Sequence, residues 1–225
     1  MLGGLRTTVL AIAIAATRGD AQLRPDSALE IRVDIARRQI VVFGPQGDTL
    51  RVMPAAVGSG GVLRAGDTVW TFNTPRGVAT VIRKEENPLW IPPDWHYVEV
   101  ARAEQLRLDR LQFGEEKLLR NGTRLVMRGS VAGVLKELEF RPLPTDEHII
   151  FDSTLFIPPF GAKNRFVAGV LGAYRLALSN GVAIHGTPDG ESIGKAVTHG
   201  CIRLRDADVT WLYQNVPVGA RVVIE

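Results

Sequence analysis

Cys201 is the only cysteine in a chain of 225 residues, and its neighbours are residues that activate thiols. His199 precedes it by two positions, and His185 opens the upstream run His185-Gly186-Thr187. A thiol with an ordinary pKa of ~8.5 is mostly protonated at neutral pH, whereas the attacking species is the thiolate. An adjacent imidazole can take that proton, giving a thiolate–imidazolium pair in which each charge holds the other. One thiol with two candidate imidazoles is the minimum equipment for nucleophilic acyl transfer. His185 is the stronger base candidate, because a strand fixes its backbone. Gly200 leaves the backbone amides of Gly200 and Cys201 accessible, and such amides can hold an oxyanion. Arg203 has the fork geometry that grips a carboxylate through two hydrogen bonds.

Blander readings compete. Free cysteine is among the most buried residue types and is often inert. A histidine on an apolar strand face is commonly a satisfied core residue, and an arginine is commonly a solvated charge. His185, His199 and Cys201 would supply three ligands of a catalytic zinc with an open fourth position, but their spacing fits no common zinc pattern. No metal is expected.

The elements that must position these residues are mostly strands. Tyr174 to Leu178 and Val182 to His185 flank Asn180-Gly181, the preferred two-residue type I′ hairpin dipeptide. That loop would set Leu176 opposite His185 and place the histidine on an apolar face. Asp206 reads as the N-cap of a helix from Ala207 to about Asn215, stopped by Pro217 and Gly219. Arg221 to Ile224 reads as a closing strand. Upstream, Leu29 to Ile35 alternates apolar and charged residues, and Ile40 to Phe43 and Thr49 to Val57 continue an antiparallel meander. Val69 to Phe72 and Gly77 to Arg83 flank Asn73-Thr74-Pro75-Arg76. Residues 87–95 hold three prolines and cannot be regular structure. Trp90 and Trp95 within that loop either form a ligand platform or plug one end of the core, and the plug is the expectation. Residues 96–120 are proline-free and read as helix. Short strands follow at Arg124 to Gly129, Val131 to Glu139 and His148 to Phe151. The sum is one mainly β domain with few helices.

The N-terminus reads as an address. Arg6 precedes the apolar run Thr7 to Ala16, which is shorter than the ~20 residues a membrane-spanning helix needs, and small residues precede a cleavage point placed after Ala21. Export of the remaining 22–225 follows, with no stable membrane insertion. Losing residues 1–21 takes Lys+Arg from 27 to 25 and Asp+Glu from 24 to 23, so the formal charge falls from +3 to +2. That is too mild for nucleic acid, and no basic cluster is interleaved with aromatics. A hydrophobic content of 45% with 23% charged residues is ordinary for a globular domain.

His185-Gly186-Thr187, Ser192-Ile193-Gly194 and Thr198-His199-Gly200-Cys201-Ile202-Arg203-Leu204 together resemble the signature of the L,D-transpeptidase (YkuD) family. Val57-Gly58, Thr74-Pro75-Arg76-Gly77 and Asn87-Pro88-Leu89-Trp90-Ile91-Pro92-Pro93 resemble its N-terminal half, so the likeness runs from Leu29 to Glu225. Thr198 stands where serine is more usual. The resemblance implies a mixed β-sandwich with the cysteine in a cleft, located in the periplasm or cell wall. It implies that Cys201 attacks a peptidoglycan tetrapeptide stem and passes the acyl group to an amine. His185 would be base and acid, and His199 would orient substrate. Gly200, Thr198, Arg203 and Gly186 would contact substrate or oxyanion. Neither metal nor cofactor is implied. Residues 101–160 exceed the family pattern and read as an inserted or capping segment. Water as acceptor would make a carboxypeptidase or amidase, and an inert thiol would make a wall-binding module.

Overall fold

Apolar–polar alternation becomes a strand where one face can be buried, and the first strand shows this directly. In β1 (Glu30–Asp34), Ile31 and Val33 are fully buried while Arg32 is exposed. β2 (Gln39–Phe43) pairs antiparallel with it, setting Ile40 opposite Val33 and Val42 opposite Ile31. The computed structural model describes residues 29–225. The leader expected over residues 1–21 lies outside the described residues.

The framework is one curled, eight-stranded mixed sheet. Its other strands are β3 (Thr49–Pro54), β4 (Gly77–Glu86), β5 (Tyr174–Leu178), β6 (Ala183–His185), β7 (Ile202–Arg203) and β8 (Arg221–Ile224). They lie in the order β7-β6-β5-β4-β8-β1-β2-β3. Two pairs are parallel, β8 with β1 and β7 with β6; the rest are antiparallel. The main core joins Ile31, Val33, Ile40 and Val42 to Leu176, Ile184, Ile202, Leu204 and Val222. The chain is therefore mainly β, with two α-helices among the described residues, α1 (Asp94–Ala103) and α2 (Asp206–Asn215).

α2 buries Val209 and Leu212 in that core. Lys84 Nζ donates to the carbonyls of Tyr213 (2.6 Å) and Val216 (2.9 Å), satisfying acceptors at the helix end that have no helical partner. Asp206 is the first residue of α2, not its cap. The capping position falls on Arg205 without a side-chain bond, and Asp206 Oδ1 instead accepts the Thr187 amide at 3.2 Å.

The helix expected over 96–120 is much shorter. It begins at Asp94 and ends at Ala103, Gln105 takes a left-handed φ of 55°, and the chain is extended from Arg107. The physical reason is a distant partner: Arg107–Arg110 pairs parallel with Thr154–Ile157, a fully buried strand. A four-stranded antiparallel sheet built from residues 116–142 packs beside it. This region has its own core of Leu111, Leu119, Leu125, Ala132, Ile149 and Phe156.

One buried cation ties that region to the rest. Arg165, only 1% exposed, donates to the carbonyls of Pro92 (3.0 Å) and Pro158 (2.7 Å) and to Asp94 Oδ1 (2.7 Å). Phe160 covers its guanidinium at 3.8 Å. A buried guanidinium is tolerable only when its donors are met, and here three carbonyl or carboxylate oxygens meet them. The clamp fixes the proline-rich loop and the first turn of α1.

Candidate active site

The loop that carries Cys201 is held by backbone bonds before any side chain acts. Ser59 donates its amide to the Thr198 carbonyl (2.8 Å), and Val57 donates to that of Lys195 (3.1 Å). Thr74, buried, accepts the Gly58 amide (2.8 Å) and donates its hydroxyl to the Gly200 carbonyl (3.0 Å). Gly200 has φ +123°, and a Cβ there would sit 2.9 Å from the Asn73 carbonyl oxygen. Only glycine makes this turn without strain. Thr198 Oγ1 donates to the Cys201 carbonyl (2.5 Å) and accepts the Gly200 amide (3.1 Å).

A cavity of about 520 Å³ brings together His185, Thr198, His199, Cys201 and Arg203. Gly186 and Gly200 are not among its lining residues. Gly186 packs against Gly172 and the Asp206 carboxylate, where a Cβ would collide with the carboxylate and crowd Gly172, and it offers its carbonyl to His185. The Gly200 amide is already bonded to Thr198, so the geometry argues against it as an oxyanion donor. The zinc reading finds no support in placement: His199 Nε2 lies 3.0 Å from both Glu99 carboxylate oxygens, and among the described residues no group of three potential ligands is suitably gathered.

His185 is 4% exposed, and its Nδ1 lies 2.6 Å from the Gly186 carbonyl. A carbonyl can only accept, so Nδ1 carries the proton, and in the neutral ring Nε2 is left as an acceptor. Burial pushes the His185 pKa down to about 4; the Gly186 bond opposes this, while Arg203 and Arg175 reinforce it. Burial pushes the half-buried Cys201 thiol up, against smaller opposing effects from a backbone hydrogen bond with Ala183 and from Arg175 and Arg203. Both shifts favour the uncharged forms. Burial thus works against the ion pair expected from residue type, and His185 and Cys201 meet as lining residues of one cavity.

The hairpin that carries His185 differs from expectation by one residue. Leu178 pairs with Val182 across a three-residue loop, Ser179-Asn180-Gly181, with Gly181 at φ +83°. This is a turn followed by a left-handed glycine, not a type I′ turn. His185 consequently faces Arg175, not Leu176. The remaining wall comes from α1 and the proline-rich loop. Trp90 and Trp95 both line the cavity, and the Trp95 ring stacks on His199 at 3.8 Å and 11°. Trp90 thus faces the cavity from the loop, and Trp95, in the first turn of α1, both faces the cavity and packs on Leu63, Phe72 and Val98, as the expected plug would. His96, also lining, sets its Nε2 3.2 Å from His148 Nε2; burial, then the His148 charge, pushes its pKa to about 4. Sequence reasoning did not single out Arg175 or Glu99. The true register would have exposed Arg175, whereas Glu99 is 100 positions from His199 and carries no local signal.

A family model described as the L,D-transpeptidase catalytic domain matches residues 29–224. The chain belongs to that family. The Escherichia coli protein named Probable L,D-transpeptidase ErfK/SrfK is 29% identical over 203 residues, covering 89% of this chain and 45% of the relative. Probable L,D-transpeptidase YbiS of Escherichia coli is 48% identical over 52 residues, 23% of this chain and 17% of its own. A crystal structure of an L,D-transpeptidase from Xylanimonas cellulosilytica matches 90% of this chain and 63% of its own, at 15% identity and a TM-score of 0.46. The chain thus spans about half the length of the first of these curated relatives. Among the described residues of this L,D-transpeptidase family member, no helix is long and apolar enough to cross a membrane.

Proposed function

We propose that this family member is a cysteine-dependent peptidoglycan L,D-transpeptidase. The observation that carries the reading is the His185 tautomer: with its Nδ1 proton donated to the Gly186 carbonyl, Nε2 is free to receive a proton in the cavity shared with Cys201. Cys201 Sγ attacks the carbonyl of the third residue of a tetrapeptide stem as its proton passes to His185 Nε2. The tetrahedral intermediate collapses, the C–N bond breaks, and His185 returns the proton to the departing D-alanine amine. An amine of a second stem then attacks the thioester, gives its proton to His185, and regenerates the thiol.

The Cys201 amide is the remaining candidate oxyanion donor in this loop, since that of Gly200 is bonded to Thr198. His199, stacked on Trp95 and held by Glu99, serves as a wall that orients the stem, and Arg203 holds substrate. Residues 101–160 act as a cap that packs behind α1, whose Trp95, His96 and Glu99 line the site. Residues 1–21 direct export to the periplasm or cell wall, and the working unit is 22–225.

Incubation with a disaccharide-tetrapeptide tests the reading. Dimers with a 3–3 bond are the expected product, and C201A should make none. Tripeptide without dimer would mean that water is the acceptor. Product formation undiminished in C201A would overturn the cysteine mechanism altogether.

A further inference from the structure

Four side chains form one straight row across four neighbouring strands. Glu85 of β4 is the register partner of Arg175 of β5, Arg175 is that of His185 of β6, and His185 is that of Arg203 of β7. Register partners point to one face of a sheet, and neighbouring strands lie ~4.8 Å apart. The two guanidinium-bearing residues therefore flank the imidazole from opposite sides, with backbones ~10 Å apart. All three of Arg175, His185 and Arg203 line the cavity that holds Cys201.

Neither cation is fully neutralised. Arg175 Nη1 bonds Glu85 Oε2 at 2.9 Å, and among the described residues its Nε and Nη2 show no partner. Glu85 is shared with Arg83, at 2.6 Å. Arg203 Nη1 lies 3.8 Å from Asp189 Oδ2, beyond hydrogen-bond reach. Two cations with spare donors beside a reactive thiol suit a ligand that carries a negative charge on each side of the attacked carbonyl. Their field reaches the reacting groups, since both charges favour the Cys201 thiolate and disfavour protonated His185.

We propose that Arg175 is a specificity-determining residue that anchors a carboxylate of the acyl donor on the side of His185 opposite Arg203. In the reading above, which this inference deepens, the donor offers two such groups. One is the terminal carboxylate of the departing residue, and the other is a side-chain carboxylate on the third residue in stems whose third residue is a diamino diacid. A planar fork takes a carboxylate through two charge-assisted bonds, a geometry that lysine cannot copy.

The first test needs no assumption about the reaction. Iodoacetate and iodoacetamide have nearly the same shape, and only the first is an anion. Each alkylates Cys201 by forming S–CH₂ as C–I breaks, with iodide leaving and the thiol proton passing to buffer. Because the chain has one cysteine, intact mass reads that site alone. The rate ratio of iodoacetate to iodoacetamide should fall about tenfold in R175Q, the scale of one charge-assisted bond. R175K should lie between. The ratio cancels any change in thiol ionisation, because both reagents meet the same sulfur. R175Q leaves Glu85 paired with Arg83, and a urea titration checks that it folds.

The second test compares tetrapeptide donors amidated at one carboxylate or the other. The wild type should prefer the free acid at one position by about tenfold in kcat/KM, and R175Q should lose that preference only; the affected position identifies the carboxylate held. A ratio and a preference both unchanged within twofold in R175Q overturn the anchor, even if the wild type turns over every donor. A falling alkylation ratio with no turnover of any donor upholds the anchor and overturns the transpeptidase reading.

Discussion

Acidification separates two descriptions of the Cys201–His185 pair by a wide margin. An imidazole at its ordinary pKa of 6.5 would be about 3% neutral at pH 5 and about three-quarters neutral at pH 7, so a rate that needs the neutral ring would drop roughly 25-fold. With burial holding the His185 pKa at about 4, the same ring is about nine-tenths neutral at pH 5, and the rate should fall by only a tenth or so. Acylation of Cys201 by a carbapenem, followed by intact mass from pH 3.5 to 8, measures this directly. The expected limb lies near pH 4, and a limb near 6.5 would refute the claim that burial governs this histidine. The same shift bears on folding. Between pH 6.5 and about 4 the unfolded chain binds a proton at this residue that the native chain refuses, so stability is full above 6.5 and declines as pH falls through that window. The loss from His185 alone approaches about 3 kcal/mol at pH 4, from a depression of 6.5 to about 4 at 1.36 kcal/mol per pH unit. Urea midpoints at pH 7 and 4.5 distinguish loss of base from loss of fold.

Two substitutions probe the scaffold. G200A places a side chain at φ +123° and against the Asn73 carbonyl, so a loss of about 1–3 kcal/mol in urea unfolding is expected, along with loss of Cys201 acylation. A variant as stable and active as the parent would show that this turn is not a constraint. R165M strands the Asp94 carboxylate's bond and two proline carbonyls around a buried site, and should cost about 3 kcal/mol. It should also raise protease sensitivity in the loop around Trp90, and a change below about 1 kcal/mol would mean the clamp is incidental.

Much of this architecture is written locally. Ile31 and Val33 alternate with Glu30, Arg32 and Asp34, and they pair with Val42 and Ile40 across β1 and β2 in the core. The segment Thr198 to Leu204 carries the His199 and Cys201 that the cavity assembles, while Gly200 works through its backbone turn. What escaped local reading depended on distance. Asn180-Gly181 permits a two-residue or a three-residue loop, and the choice shifts register by one, exchanging Leu176 for Arg175 beside His185. Arg107–Arg110 is helix-compatible in isolation and becomes a strand only because Thr154–Ile157 is there to pair with it. The acid–base character of the site was misread for a related reason. Residue type suggests charges, while burial, set by the whole fold, removes them.

A sulfur that burial biases toward its protonated form ages slowly. Peroxide and disulfide reagents consume thiolates, so a site that holds few of them resists conversion to sulfenic acid and beyond. With one cysteine there is no second thiol in the chain to rescue an oxidised Cys201 by forming an internal bridge, and shelter from oxidants is the defence left to it.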